Sequence, residues 1–504
     1  MTDADGNIGG RMAKGAAWMV AVRLFDRMIG LISTVILARL LFPADFGVVA
    51  LAMSIIAVLE IWAEFGFDLA LIRDQKAEQR HYDTVWTLTF LRSVIVAMLI
   101  AATAGHMSAF FNEARIESVM YALSAATLIE GCQSVRIIDF RKNLDLHKEF
   151  RFLMIARVAQ FVVTIVAAYL WRDYWALVAG ILVNRSTKLM LSYLMAPHRP
   201  RFSLSGFSDL FGFSKWVVIN SLLTFFNTRL DTFVIGRVSG VSSLGIYNMA
   251  YEVSNMATTE LVWPISRALF PGFSKLQDRP SELVKAYNMS LSIIVLIALP
   301  VTVGIGLTAE YFVPLMLGQK WLLAIPVMQV LVIYGGLRVL IANTGALYLA
   351  LGRPYLISIM GASNLVVLAP AMIWAVQAYG TIGAAWAVVA GSVPVVVLMF
   401  VFNRRFLGTG FLATLSLNIR PVIGAFLPVI GAFLMSVTVL FLETQMPVSE
   451  DPWILALSLA GLAGAGGAVY ISSVLLMARR SRTDATAESL VASAVSAKFS
   501  RRGR

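Results

Sequence analysis

The chain has little of what soluble chemistry uses. One cysteine, Cys132, stands among 504 residues, which excludes an internal disulfide and a multi-cysteine metal site. The four histidines, His81, His106, His147 and His198, are scattered without the spacing of metal ligands. Charged residues make up 14% of the chain, against about a quarter in an ordinary soluble protein. No P-loop or other nucleotide fingerprint occurs, so direct ATP drive within this chain is not expected. The glycine-rich stretches GSVPVVV and GLAGAGGAVY lie inside apolar runs, where close helix packing explains them better than phosphate binding. These absences argue against an enzyme and against a metal or organic cofactor.

What remains is apolar surface. Hydrophobic residues reach 59%, and mean hydropathy is +0.78. That composition predicts an all-α integral membrane protein. With roughly 20 apolar residues per spanning helix, the length accommodates about 14 spans. Apolar stretches place them near 14–41, 45–72, 84–106, 114–138, 151–170, 174–196, 210–237, 243–270, 284–312, 321–351, 354–378, 380–403, 417–441 and 453–478. The start, MTDADGNIGGRMAKG, is acidic before it is basic and lacks the pattern of a cleaved signal. The first apolar segment is therefore expected to stay as a span.

The net charge of +12 would suggest nucleic acid in a soluble chain. Here the basic residues fall in alternate connections: Arg73, Lys76 and Arg80; Arg141, Lys142, Lys148 and Arg151; Arg199 and Arg201; Lys275, Arg279 and Lys285; Arg353; Arg404, Arg405 and Arg420. The intervening connections hold few. That alternation predicts both termini in the cytoplasm, and it requires an even number of spans. The basic loops meet anionic lipid; no nucleic acid partner is expected.

The segment RPRFSLSGFSDLFGF joins the sixth and seventh spans. Leu204, Phe207, Leu210 and Phe211 recur at helical spacing beside basic residues, which fits an interfacial amphipathic helix; an extended lead-in fits equally well. A shift of 198 residues aligns the first helix pair with the seventh and eighth spans. Trp18 falls on Trp216, Thr34 on Thr232, Arg39 on Arg237, Gly47 on Gly245 and Ala52 on Ala250. Six spans separate the copies, so their orientation is the same. The expected organisation is two parallel six-helix lobes around a central cavity. They cover 1–196 and 210–406, with a linker at 197–209, a further helix pair at 407–478 and a basic tail at 479–504. PADFG at 43–47 is then a hairpin, with Asp45 and Ser243 suited to N-caps.

A charge inside a span costs a few kcal/mol and so tends to face a partner or a wet cavity. Arg23, Asp26 and Arg27 lie in the first span; Glu60, Glu64 and Asp68 line one face of the second. Counted from the hairpin, Arg27 is level with Glu60 and Arg23 with Glu64. Two readings stand for these groups: static interhelical pairs, or the wall of a polar cavity. Arg92, Glu130, Arg157, Arg185 and Lys188 could equally snorkel to the cytoplasmic face. The residues assigned to the cavity are Arg27, Glu60, Arg229, Asp231, Glu252, Glu260, Arg338 and Asn343. Such a mixed lining suits a polar substrate with an anionic head, because the guanidinium fork matches phosphate.

Several stretches carry a family likeness. PADFGVVALA, FGFDLALIR, LMLGQKWLLAIPVMQVL (315–331), LYLALGRP (347–354) and YGTIGAAWA (379–387) resemble the polysaccharide transporter branch of the multidrug/oligosaccharidyl-lipid/polysaccharide exporter superfamily, the Wzx-type flippases. The resemblance runs from about Arg11 to Phe406. It implies that an undecaprenyl-pyrophosphate-linked oligosaccharide is turned from the cytoplasmic to the periplasmic leaflet for exopolysaccharide, capsule or O-antigen synthesis. It also implies polymerase and export machinery as neighbours. Pro43, Asp45, Gly47, Leu317, Gly318, Trp321, Gly352, Arg353, Pro354 and Gly383 match the recurrent pattern as scaffold or gate positions. Three alternatives stay open: a Na⁺- or H⁺-coupled multidrug exporter of the same superfamily, a membrane polysaccharide polymerase or ligase, and a scaffold for other polysaccharide enzymes.

Overall fold

The computed structural model describes residues 25–62, 78–143, 145–205, 214–256 and 258–408, with Leu71, Gly461, Gly464 and Ser472 as isolated positions. Arg23, Glu64, Asp68, the expected spans at 417–441 and 453–478 and the basic tail lie outside them. Regular structure among the described residues is helical throughout. Two compact units divide between Gly245 and Ile246.

The first unit holds α1 (25–40), α2 (Pro43–Trp62), α3 (Gln79–Phe111), α4 (Arg115–Gly131), α5 (Leu146–Trp171), α6 (Trp175–Met195) and α7 (Ser214–Val238). The start of α8 (Gly240–Ser254) belongs to it as well. The second unit continues through a π turn at Thr258–Val262, α9 (Trp263–Lys275), α10 (Pro280–Leu307), α11 (Ala324–Ile341), α12 (Thr344–Ala350) and α13 (Tyr355–Leu407).

Six helical stretches among the described residues are long and apolar enough to cross a membrane: Pro43–Glu60, Gln79–Phe111, Leu146–Trp171, Pro280–Leu307, Ala324–Ala350 and Tyr355–Leu407. Large apolar residues lie on their outer faces as well as in their interior. On α5 the large residues Ile155, Val158, Val162, Val166 and Tyr169 are exposed along one stripe, whereas Ala156, Thr164, Ala167 and Ala168 are buried. Lipid solvates the outer stripe, and small residues let helix backbones approach. A Cβ on Gly180 of α6 would lie 1.9 Å from Thr164 Oγ1, and one on Gly131 of α4 would lie 1.8 Å from Ser93 Oγ.

The hairpin between α1 and α2 is built as its sequence suggests, with one change. Pro43 opens α2, where its missing N–H costs nothing, and Asp45 stands two residues further in. Its Oδ2 accepts a 2.8 Å hydrogen bond from Phe42 N. Asp45 therefore caps from the third helical position, as the acidic member of a capping box does, rather than from the N-cap itself. The aligned glycines meet. A Cβ on Gly47 would lie 1.7 Å from Val241 O, and one on Gly245 would lie 1.9 Å from Pro43 O. Both contacts repeat under the 198-residue shift, since Pro43 corresponds to Val241 and Gly47 to Gly245. The same helix crossing is thus read from both sides.

The spans read at 354–378 and 380–403 form a helical hairpin turning at Gly380, whose φ of 58° and ψ of −136° a side chain would oppose. Past the turn, a Cβ on Gly383 would lie 1.9 Å from Ala375 O. The expected span 321–351 breaks between α11 and α12, and 243–270 breaks between α8 and α9. Pro264 supplies a reason for the second break, because it has no N–H to return to the preceding turn. The linker is extended over 197–204; its remaining part, with Phe207, Leu210 and Phe211, lies outside the described residues. Thr87 Oγ1 accepts from Ser203 N at 3.0 Å, Asp83 Oδ1 accepts from Arg201 N at 3.3 Å, and Ser134 Oγ donates to Ala196 O at 2.8 Å. These bonds fasten the linker to the first unit.

Candidate functional site

The first unit gathers charges at mid-helix. Asn184 Nδ2 donates to Ala156 O at 3.2 Å, which sets the next residues of α6 and α5, Arg185 and Arg157, at one level. Arg157 lies about 16 Å along α5 and Arg185 about 15 Å along α6 at 1.5 Å per residue. Both lie near the middle of their helices.

Arg157 pairs with Asp26 of α1 at 2.8 Å, and its Nη1 donates to Gln160 Oε1 at 3.2 Å. Gly30 leaves room for the guanidinium; a Cβ there would stand 3.3 Å from Arg157 Nη2. Arg185 pairs with Glu130 of α4 and shares the electrostatic field of Glu60 and Arg92. Lys188, one turn further along α6, feels Arg185, Arg157 and Asp26. Glu60 thus acts on Arg185 of α6 across the unit. Above this layer lies a cavity of about 290 Å³, where Ser33, Arg157, Gln160 and Thr164 are the polar groups in an otherwise apolar wall.

The second unit has a different site. Arg338 of α11 faces a cavity of about 270 Å³, with Tyr334, Thr344, Asn364 and Ser392 as its polar neighbours. Its Nη1 donates to Asn255 Oδ1 at 3.2 Å, and its guanidinium lies 5.6 Å from the Tyr334 ring centre. Among the described residues no carboxylate lies within ion-pair distance of it. An arginine held by an amide and a ring keeps its charge for a ligand. Beside the cavity, Tyr287, Ser290, Asn343, Thr344, Tyr348 and Asn403 form a buried polar network. Asn343 Nδ2 donates to Ser290 Oγ at 2.8 Å, and Asn403 Nδ2 to Tyr287 OH at 3.1 Å.

The expected cavity residues are drawn from both units. Arg27, Glu60, Arg229 and Asp231 belong to the first unit, and Glu252, Glu260, Arg338 and Asn343 to the second. Arg27 and Glu60 are half-buried and Arg229 is exposed. Asp231 Oδ1 accepts from Thr232 N at 2.7 Å. Glu252 is exposed. Glu260 sits on the π turn, its side chain outside the described residues. Arg338 lines its cavity, whereas Asn343 is 0% exposed and bonded into the network behind it. Missed at sequence level were Asn255, Asn364 and Ser392, single polar residues in apolar runs.

At the start of α3, His198 of the linker is enclosed by polar groups. Its Nε2 lies 3.3 Å from Asp83 Oδ1, and its Nδ1 lies 3.4 Å from Gln79 Nε2. Burial pushes the imidazole below its ordinary range; Asp83 opposes this and Arg136 adds to it. Glu113, in the turn before α4, is held below the usual carboxylate range by its hydrogen bond to Arg115.

Comparison with known proteins agrees with this architecture. The family described as polysaccharide biosynthesis protein matches residues 36–326. The chain is 28% identical over 344 residues to the lipopolysaccharide biosynthesis protein WzxC of Escherichia coli (strain K12), covering 67% of this chain and 70% of that protein. It is 23% identical over 328 residues to the succinoglycan biosynthesis transport protein ExoT of Rhizobium meliloti (strain 1021), covering 65% and 66%. In fold it is similar to the lipid II flippase MurJ in an inward closed conformation. That match has a TM-score of 0.72 at 12% identity and covers 92% of this chain and 99% of that one. An inward-facing multidrug resistance MATE family transporter gives a TM-score of 0.56 at 15% identity over 76% of this chain and 94% of that one. With a match across more than half its length, this multi-pass membrane protein belongs to the polysaccharide biosynthesis protein family.

Proposed function

We propose that the chain is a flippase that carries a lipid-linked oligosaccharide, built on undecaprenyl pyrophosphate, from the cytoplasmic to the periplasmic leaflet. The fourteen-span topology with both termini in the cytoplasm belongs to the same proposal. The observation that carries it is Arg338, a cation in the last turn of α11 that lines a cavity with hydroxyl and amide neighbours and no carboxylate among the described residues. The names of WzxC and ExoT and the fold of MurJ point the same way.

The physical task is asymmetric. A sugar head cannot cross hydrocarbon unaided, whereas a prenyl tail can remain in lipid. A cavity with an arginine, hydroxyls and an amide replaces water for the head, and rocking of the two lobes changes the side from which it is reached. In the first unit, Arg157 and Arg185 are already matched by Asp26 and Glu130. An anion reaching that layer has to exchange with a carboxylate. Arg338 offers its charge without exchange, which makes it the stronger anion contact.

The test uses spheroplasts of a depletion strain and a glycan-binding probe that does not cross membranes. Accumulated lipid-linked oligosaccharide that the probe does not reach is the expected result. Accumulation in the outer leaflet with loss of polymer alone assigns flipping to another protein and returns the polymerase or scaffold reading.

A further inference from the structure

Asn255 occupies the break between α8 and the π turn and is 2% exposed. Single π turns concentrate at functional sites, because the extra residue displaces side chains from their helical places. Every polar group of this asparagine beyond its own N–H has a task. Nδ2 donates to Tyr251 O at 3.0 Å, which fixes the orientation of the amide. Oδ1 then accepts from Arg338 Nη1 at 3.2 Å. The carbonyl oxygen accepts from Thr258 Oγ1 at 2.8 Å and Thr259 Oγ1 at 3.1 Å, two hydroxyls that secure the broken turn. On the other side, Tyr334 carries the guanidinium on its ring and packs against Tyr251 at 6.1 Å.

We propose that Asn255 is a positioning residue for anion recognition by Arg338. This rests on the reading of Arg338 given above. A guanidinium has five N–H donors; the amide engages one nitrogen and aims the rest at the cavity without neutralising the charge. The residue type matters. A carboxylate at this position, in a site screened from water, forms an ion pair and competes with the incoming phosphate. An isosteric leucine leaves the arginine free to leave its productive direction. Asparagine is the side chain of this size that holds the cation without consuming it, and the π turn is the backbone device that turns it towards α11.

The experiment measures binding of undecaprenyl diphosphate to the full-length protein in lipid nanodiscs, with uncharged undecaprenol as the reference for tail contacts. Asn255→Asp is expected to weaken diphosphate-lipid binding about tenfold, approaching Arg338→Ala, as competition by a charge-assisted bond predicts. Asn255→Leu is expected to weaken it about threefold, the scale of one neutral hydrogen bond. Undecaprenol binding stays at the wild-type level in both. Placed in an Arg338→Ala background, neither substitution has a further effect, because Asn255 acts through that side chain. A merely structural role moves both lipids together and adds to Arg338→Ala, which overturns the proposal. Wild-type diphosphate selectivity in Asn255→Asp overturns it too, while leaving Arg338 as the anion contact. Wild-type binding by Arg338→Ala removes the reading beneath it. If Asn255→Asp does not reach the membrane, Asn255→Leu decides by the same comparison.

Discussion

The glycine crossing at the α1–α2 hairpin can be broken by one methyl group. Alanine at Gly47 puts a carbon 1.7 Å from Val241 O, and alanine at Gly245 puts one 1.9 Å from Pro43 O. Carbon and carbonyl oxygen normally approach to about 3.3 Å, so the helices have to part by roughly 1.5 Å. The obstacle is backbone in both cases, and no side-chain rotation relieves it. Overpacking of this kind costs about 1–3 kcal/mol. Once the crossing has opened for one methyl, the second finds most of its space already made. The double variant Gly47→Ala/Gly245→Ala should then cost clearly less than the two single costs combined, as for directly coupled sites. Thermal unfolding in detergent reads the cost, and polymer output at matched membrane levels reads function. Each single variant should lower the unfolding midpoint and polymer output. An unchanged midpoint with normal output, or full additivity, would refute the coupled crossing.

Four further outcomes follow from the geometry. Arg338→Ala should lower polymer export while the protein still reaches the membrane; normal export at normal protein level removes this residue from the site. Glu130→Gln leaves Arg185 without its carboxylate in a low-dielectric layer and should lower the unfolding midpoint. Adding Arg185→Gln should recover part of that loss, because the stranded charge is gone. His198, with its pKa lowered by burial, gives full stability above the ordinary histidine pKa of about 6.5 and loses it as pH falls through the depressed folded value. His198→Gln should flatten the fall in midpoint below that pH. Gly383→Ala, facing Ala375 O across the Gly380 turn, should destabilise the second unit, whereas Gly272→Ala, with open space around it, should not.

Much of this molecule can be read without coordinates, for reasons that belong to the bilayer. Hydrocarbon thickness sets a minimum length for an apolar helix, so helices such as Leu146–Trp171 and Trp175–Met195 stand out in sequence as 151–170 and 174–196. YGTIG marks the α13 turn, because a glycine is needed where φ is positive at Gly380. The 198-residue shift identifies Gly47 and Gly245 as equivalent, although only packing shows that the equivalent glycines touch.

The candidate sites were less legible. Depth counted from a hairpin sets Arg27 level with Glu60, yet Arg185, far along the chain, also feels Glu60, because a helix has neighbours on several sides and sequence counting sees only one. Asp26 meets Arg157, and Arg338 meets Asn255, across long stretches of chain. Asn343 carries the same polar signal as Asn255 in an apolar run, but one is sealed in a network and the other aims an arginine. The sequence by itself determined a helical membrane protein, because composition and periodicity are local and the bilayer reads them one helix at a time. Which charges pair and which remain open to a cavity was decided only by tertiary structure, since that depends on rotation and on contacts between helices distant in the chain.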